Sequence, residues 1–171
     1  TPGHIDHLLR SSRFHRQDDL PFADLLTEAV FHCELVLYPG VVADVVANMF
    51  PYDNMTDTCK VLKCLIELQA RKGTSHHYSY APGINVLEGI AAAIARAGDP
   101  EAIRLLWEYF DVSGQEPSMG VYESTAVTFA QNSENFRSAF AVLEEMQSRN
   151  LKPHRAFFRS MSKPISYDTH G

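Results

Sequence analysis

The residues best suited to hold a metal or attack a substrate are eight histidines and three cysteines, and their spacing argues against both roles. His4 and His7 stand three apart and His76 and His77 are adjacent, with no cysteine pair or carboxylate cluster beside them at zinc-site spacing. Cys33, Cys59 and Cys64 form no CxxC pair. Cys59 and Cys64 are five apart on one predicted helix, so they face different ways. They read as packed thiols of a reducing compartment. There is no glycine-rich phosphate loop, nucleophile elbow or HExxH, and no HxE with paired CxxC as a deaminase needs. The expectation is a non-catalytic chain with no metal, no cofactor and no small-molecule substrate. The remaining chemistry is recognition. Arg149, Lys152, Arg155, Arg159 and Lys163, with His154 among them, form a basic run interleaved with Phe157 and Phe158. Such a run can grip a phosphate backbone while an aromatic ring stacks a base. Its plainer alternative is a solvated basic turn with two phenylalanines packed at a helical interface.

The totals narrow the partners. At 171 residues, 45% hydrophobic and 21% charged, the chain has the composition of one globular domain. A formal net charge of -6 means that the surface as a whole is not built to neutralise phosphates. From Pro82 to Glu116 the acids Glu88, Asp99, Glu101, Glu108, Asp111 and Glu116 face only Arg96 and Arg104, a net charge of -4. The longest apolar stretch, Ala29 to Phe50, is broken by His32, Glu34, Pro39, Asp44 and Asn48, so no membrane insertion is expected. The first residue is Thr1, as in a fragment or a chain with its leader removed.

What positions these residues is a repeat. A proline stands just before an apolar helical pattern at Pro39, Pro82, Pro117 and Pro153, in steps of 43, 35 and 36 residues. The long first step comes from about eight extra residues, "TSHHYSYA", in a loop. A period near 35 predicts stacked helical hairpins. The expected fold class is all-α, an α-solenoid of three to four hairpins. The hairpins fall near residues 20–38, 39–81, 82–116 and 117–152, with the start of a further helix at 153–161. A polar arm over 1–19 and a flexible tail over 162–171 flank them. Local signals agree. Asp99 is a good N-cap with Pro100 at the first helical position, and Gly114 ends that helix. Ala102, Leu105, Leu106 and Tyr109 form its apolar stripe, opposite Glu101, Arg104, Glu108 and Asp111. In the next hairpin Phe136, Ala139, Phe140, Leu143 and Met146 read as the buried stripe. Asn150 takes the left-handed helix end.

The hairpins carrying "ARAGDPEAIRLLWEYF" and "NFRSAFAVLEEMQSRNLKPH" resemble pentatricopeptide repeats, most closely in "EEMQSRNLKP". The resemblance spans Pro39 to Phe158. The related tetratricopeptide pattern, with its Trp-Leu-Gly-Tyr positions, is missing. The resemblance implies residence in mitochondria, or alternatively plastids. It also implies work on organellar RNA or on ribonucleoprotein subunits such as those of the organellar ribosome. It nominates the fifth residue of each first helix and the last residue of the repeat as base readers: Val45 with Gly83, Glu88 with Ser118, Glu123 with His154. Val42, Asn85 and Gly120 would sandwich the base. None of the three pairs is the family's usual Thr, Ser or Asn with Asp or Asn, and Glu88 and Glu123 would repel phosphates. Two readings follow: an adaptor that binds RNA or a ribonucleoprotein, and a purely protein-binding scaffold in a large assembly.

Overall fold

In the computed structural model the described residues are 22–32, 54–71 and 81–161, and every regular element among them is helical. Helix α1 covers Phe22–Thr27 and runs into a π-helical turn, Glu28–His32. Helix α2 is Met55–Ala70, α3 Ile84–Ala97, α4 Pro100–Ser113, α5 Met119–Ala130, α6 Phe136–Ser148 and α7 Arg155–Met161. The polar arm, the first helix of the 39–81 hairpin and the tail lie outside the described residues.

The helix ends form where the sequence supplies their chemistry. The Asp99 carboxylate accepts the N–H groups of Glu101 and Ala102 at 2.9 and 3.1 Å, with Pro100 at the first helical position. These bonds satisfy two of the donors that every helix start leaves without partners. Gly98, at φ 67°, ends α3 one residue before that cap, so the hairpin turns within Gly98–Asp99. Gly114 closes α4 at φ 70°, and Asn150 adopts φ 55° after α6. Asn54 caps α2 by accepting from the Asp57 N–H, and Ser118 caps α5 by accepting from Val121.

Apolar stripes then set the packing. Ala102, Leu105, Leu106 and Tyr109 of α4 are buried, and Glu101, Arg104, Glu108 and Asp111 are exposed. Helix α2 packs on α4, α3 on α5, and α5 on α7, so helices two places apart in the chain lie side by side. The second helices α2 and α4 meet one another, as do the first helices α3, α5 and α7. Leu62, Leu65, Leu87, Ile94, Ile103 and Leu106 are fully buried between them. Each such side chain stabilises the fold by roughly 1.5–3 kcal/mol. Helix α1 docks on α2 through Ala23, Leu26, Ala29 and Val30, with Asp24 ion-paired to Lys60 at the border.

Trp107 crosses from α4 to α5. Its Nε1–H donates to Thr125 Oγ1 at 2.9 Å, and its ring meets Tyr122 edge-on at 5.1 Å. Gln115 ties the end of this hairpin to its start. It donates from Nε2 to the Pro82 carbonyl at 3.2 Å and accepts from the Tyr109 hydroxyl at 3.2 Å.

One expected stripe differs. Ala139 and Met146 of α6 are buried, but Phe136 and Phe140 are 44% and 54% exposed, touching each other edge-on at 5.2 Å. Residues 139, 142, 143 and 146 form the inner face against α5, and Phe136 and Phe140 lie rotated outward from it. Among the described residues, no second helix follows α6 to cover them.

Candidate recognition surface

The first helices α3, α5 and α7 lie in one row, and the nominated reading positions fall where consecutive members of that row meet. Glu88 is the fifth residue of α3, and Ser118 is the N-cap of α5. The Ser118 hydroxyl donates to Glu88 Oε1 at 2.5 Å. Gly120, in the first turn of α5, makes room for that carboxylate, since a Cβ there would stand 3.2 Å from Glu88 Cδ and Oε1. The next junction repeats the arrangement. Glu123 is the fifth residue of α5, and its Oε1 accepts the backbone N–H of His154, just ahead of α7, at 2.5 Å. The His154 ring Nδ1 lies 3.0 and 3.1 Å from the two Glu123 oxygens. Each glutamate thus sits at the positive start of the following first helix, where a carboxylate is favoured.

The structure therefore brings together both described pairs, Glu88 with Ser118 and Glu123 with His154, and bonds each to itself. Asn85 is exposed on the first turn of α3. Val42 and Val45 lie outside the described residues, which leaves Gly83, the N-cap of α3, without its nominated mate in view.

The basic run divides. Arg149 is taken up internally. It pairs with Glu145 at 3.0 Å and Glu116 at 3.3 Å, and its guanidinium lies over the Tyr122 ring, 5.8 Å from the centroid. The Tyr122 hydroxyl donates to Glu145 Oε1 at 3.2 Å, and burial, then the Glu145 charge, push its pKa up. Phe157 is buried on the α5 side, while Phe158, edge-on to it at 5.3 Å, is 59% exposed. Lys152, Arg155 and Arg159 are exposed around it. Of the two readings offered for Phe157 and Phe158, packing holds for the first ring and exposure for the second. Lys163 lies outside the described residues.

Of the three cysteines, Cys33 lies outside the described residues, and both described thiols have raised pKa values. Cys64 is buried with its Sγ 3.7 Å from Thr27 Oγ1, and burial raises its pKa to about 11. Burial, followed by the nearby Asp99 charge, also raises Cys59. A nucleophilic or metal-binding cysteine needs the opposite shift. Among the described residues, no three His, Cys, Asp or Glu side chains converge as metal ligands, and no helix is long and apolar enough to cross a membrane.

Sequence reasoning missed the Trp107–Thr125 bond and the Arg149–Tyr122–Glu145 cluster. Trp107 and Thr125 stand 18 residues apart and Arg149 and Tyr122 stand 27 apart, with no local signature; only the Glu145–Arg149 pair, four apart, is local. No family model, curated protein or solved structure matches the chain. The pentatricopeptide resemblance stands on the sequence motifs alone.

Proposed function

We propose that the chain is a non-catalytic α-solenoid adaptor of the pentatricopeptide type in organellar, by resemblance mitochondrial, gene expression. It attaches to RNA or to a ribonucleoprotein such as the organellar ribosome through its C-terminal end rather than by reading bases along the row of first helices. The observation behind this reading is the bonding of Glu88 to Ser118 and of Glu123 to His154. These contacts occupy the nominated reader side chains, while Lys152, Arg155 and Phe158 remain exposed on the last turn and helix. Two exposed cations close in sequence to an exposed ring suit a phosphate backbone and a stacked base.

A second reading, a purely protein-binding scaffold, draws support from the carboxylates of Glu88 and Glu123 along the same row, which repel a polyanion. One experiment separates the two: capture of the tagged chain from isolated organelles, with and without ribonuclease, beside an Arg155→Glu/Arg159→Glu variant. The adaptor reading expects crosslinked RNA that the double variant loses and that fades as salt rises. A fixed set of proteins that survives ribonuclease, with no crosslinked RNA at low salt, overturns it in favour of the scaffold.

A further inference from the structure

We propose that the outer face of α6 is a self-association surface that pairs two copies of this chain antiparallel about a two-fold axis. The inference is independent of the RNA or scaffold reading. It starts from the four residues Arg137, Phe140, Ala141 and Glu144, which lie at i, i+3, i+4 and i+7 and form one stripe of the helix. All four are exposed. Phe140 is 54% exposed, and Phe136 extends the apolar patch toward the start of α6. The inner face of α6, with Ala139 and Met146, is spent on α5, so the stripe is the side that no described helix covers.

Charge and size along the stripe identify the occupant. Arg137 and Glu144, opposite in sign, bracket the apolar centre, and neither joins an ion pair among the described residues. Laid antiparallel across a second α6, with the axis between residues 140 and 141, the four-residue stripe matches itself. Phe140 of each copy meets the small Ala141 of the other, and Arg137 of each meets Glu144 of the other. Large faces small and plus faces minus, twice over. Isologous contact requires such reciprocity. A parallel arrangement would set Arg137 against Arg137 and Glu144 against Glu144. An isologous contact also closes on itself, so the stripe is covered without growing into a filament.

One helix per copy makes an interface at the small end of the specific range, so the expected dimer is reversible with a micromolar Kd. The test is sedimentation equilibrium of the full chain over about 5 to 500 µM. Wild type is expected to pass from monomer to dimer across that range. Phe140→Glu, Arg137→Glu and Glu144→Arg are each expected to weaken the dimer at least about tenfold. All three positions are exposed, so helix content by circular dichroism should match wild type. The decisive arm is a mixture. Arg137→Glu and Glu144→Arg, each weakened alone, should together form a one-to-one heterodimer with near wild-type affinity, because mixing restores both ion pairs. A wild type that stays monomeric throughout overturns the proposal. So does a dimer indifferent to these substitutions, or a mixture that remains monomeric.

Discussion

Removing the Glu123 carboxylate should loosen α7 and little else. In Glu123→Ala, the His154 N–H loses an acceptor at 2.5 Å and the His154 ring loses two oxygens at 3.0 and 3.1 Å. Hydrogen bonds to a charged acceptor contribute about 1.5–3 kcal/mol when both partners are desolvated. Here the His154 side chain is 70% exposed and the Glu123 side chain 16%, so water replaces the ring contact almost without cost. The main-chain bond and the carboxylate's place at the start of α7 remain to be lost, together about 1–2 kcal/mol. Helix α7 has only seven residues and is anchored mainly by the buried Phe157, so the loss acts on its docking rather than on the whole fold. Amide exchange over Arg155–Met161 should accelerate about 5- to 30-fold, while α3 and α4 keep wild-type protection. Glu123→Gln, which keeps one acceptor oxygen, should show a smaller effect. Hydrogen exchange read by mass spectrometry resolves these segments. If exchange over Arg155–Met161 in Glu123→Ala stays within about twofold of wild type, the glutamate does not hold the junction and the reasoning fails.

Two further perturbations test the helix ends and the core. Gly98→Ala should lower stability in urea by about 1–2 kcal/mol, because φ 67° is strained for alanine. The new Cβ also meets Gln131 Oε1 at 2.9 Å; Gly114→Ala, at φ 70° with open space around it, should cost the strain alone. Cys64 should resist iodoacetamide in the folded chain at pH 8 and react on unfolding, with labelled peptides read by mass spectrometry. Its folded pKa, about 11, lies above the value near 8.5 expected when unfolded, so the thiol's contribution to stability is complete below pH 8.5 and is lost as pH rises to 11. Urea midpoints should therefore fall over that window in wild type and fall less in Cys64→Ala.

Helix ends and repeat register were legible because they depend on local chemistry. Asp99 before Pro100, Gly114 before Pro117 and Asn150 before Pro153 each declare a boundary within a few residues, and each boundary stands. The family resemblance paired residue 88 with 118 and residue 123 with 154, and both pairs are bonded. The outward turn of Phe136 and Phe140 was not legible. A stripe of apolar residues at helical spacing gives the axis of a face, but not its edge. Whether a phenylalanine at that edge is covered depends on a neighbouring helix, which the stripe itself does not encode. Arg149 escaped for a related reason. It stands in a basic run by sequence, yet Glu116, Glu145 and Tyr122 reach it from three directions in space.

The two glutamate junctions bear on function through what they exclude. Glu88 cannot turn toward a ligand without releasing the Ser118 hydroxyl, and Gly120 leaves no side chain there to take its place. Glu123 cannot do so without freeing the main-chain N–H of His154. A ligand read at these positions would have to offset both losses and the repulsion of two carboxylates. Two exposed surfaces lie away from these junctions. They are the exposed Phe158 ring beside Arg155 on α7 and the stripe of α6 that no described helix covers, which lie on different helices and differ in character. Arg155→Glu should therefore leave self-association intact, and Phe140→Glu should leave attachment through α7 intact. A chain in which either substitution abolished both would have one binding surface where the geometry gives two.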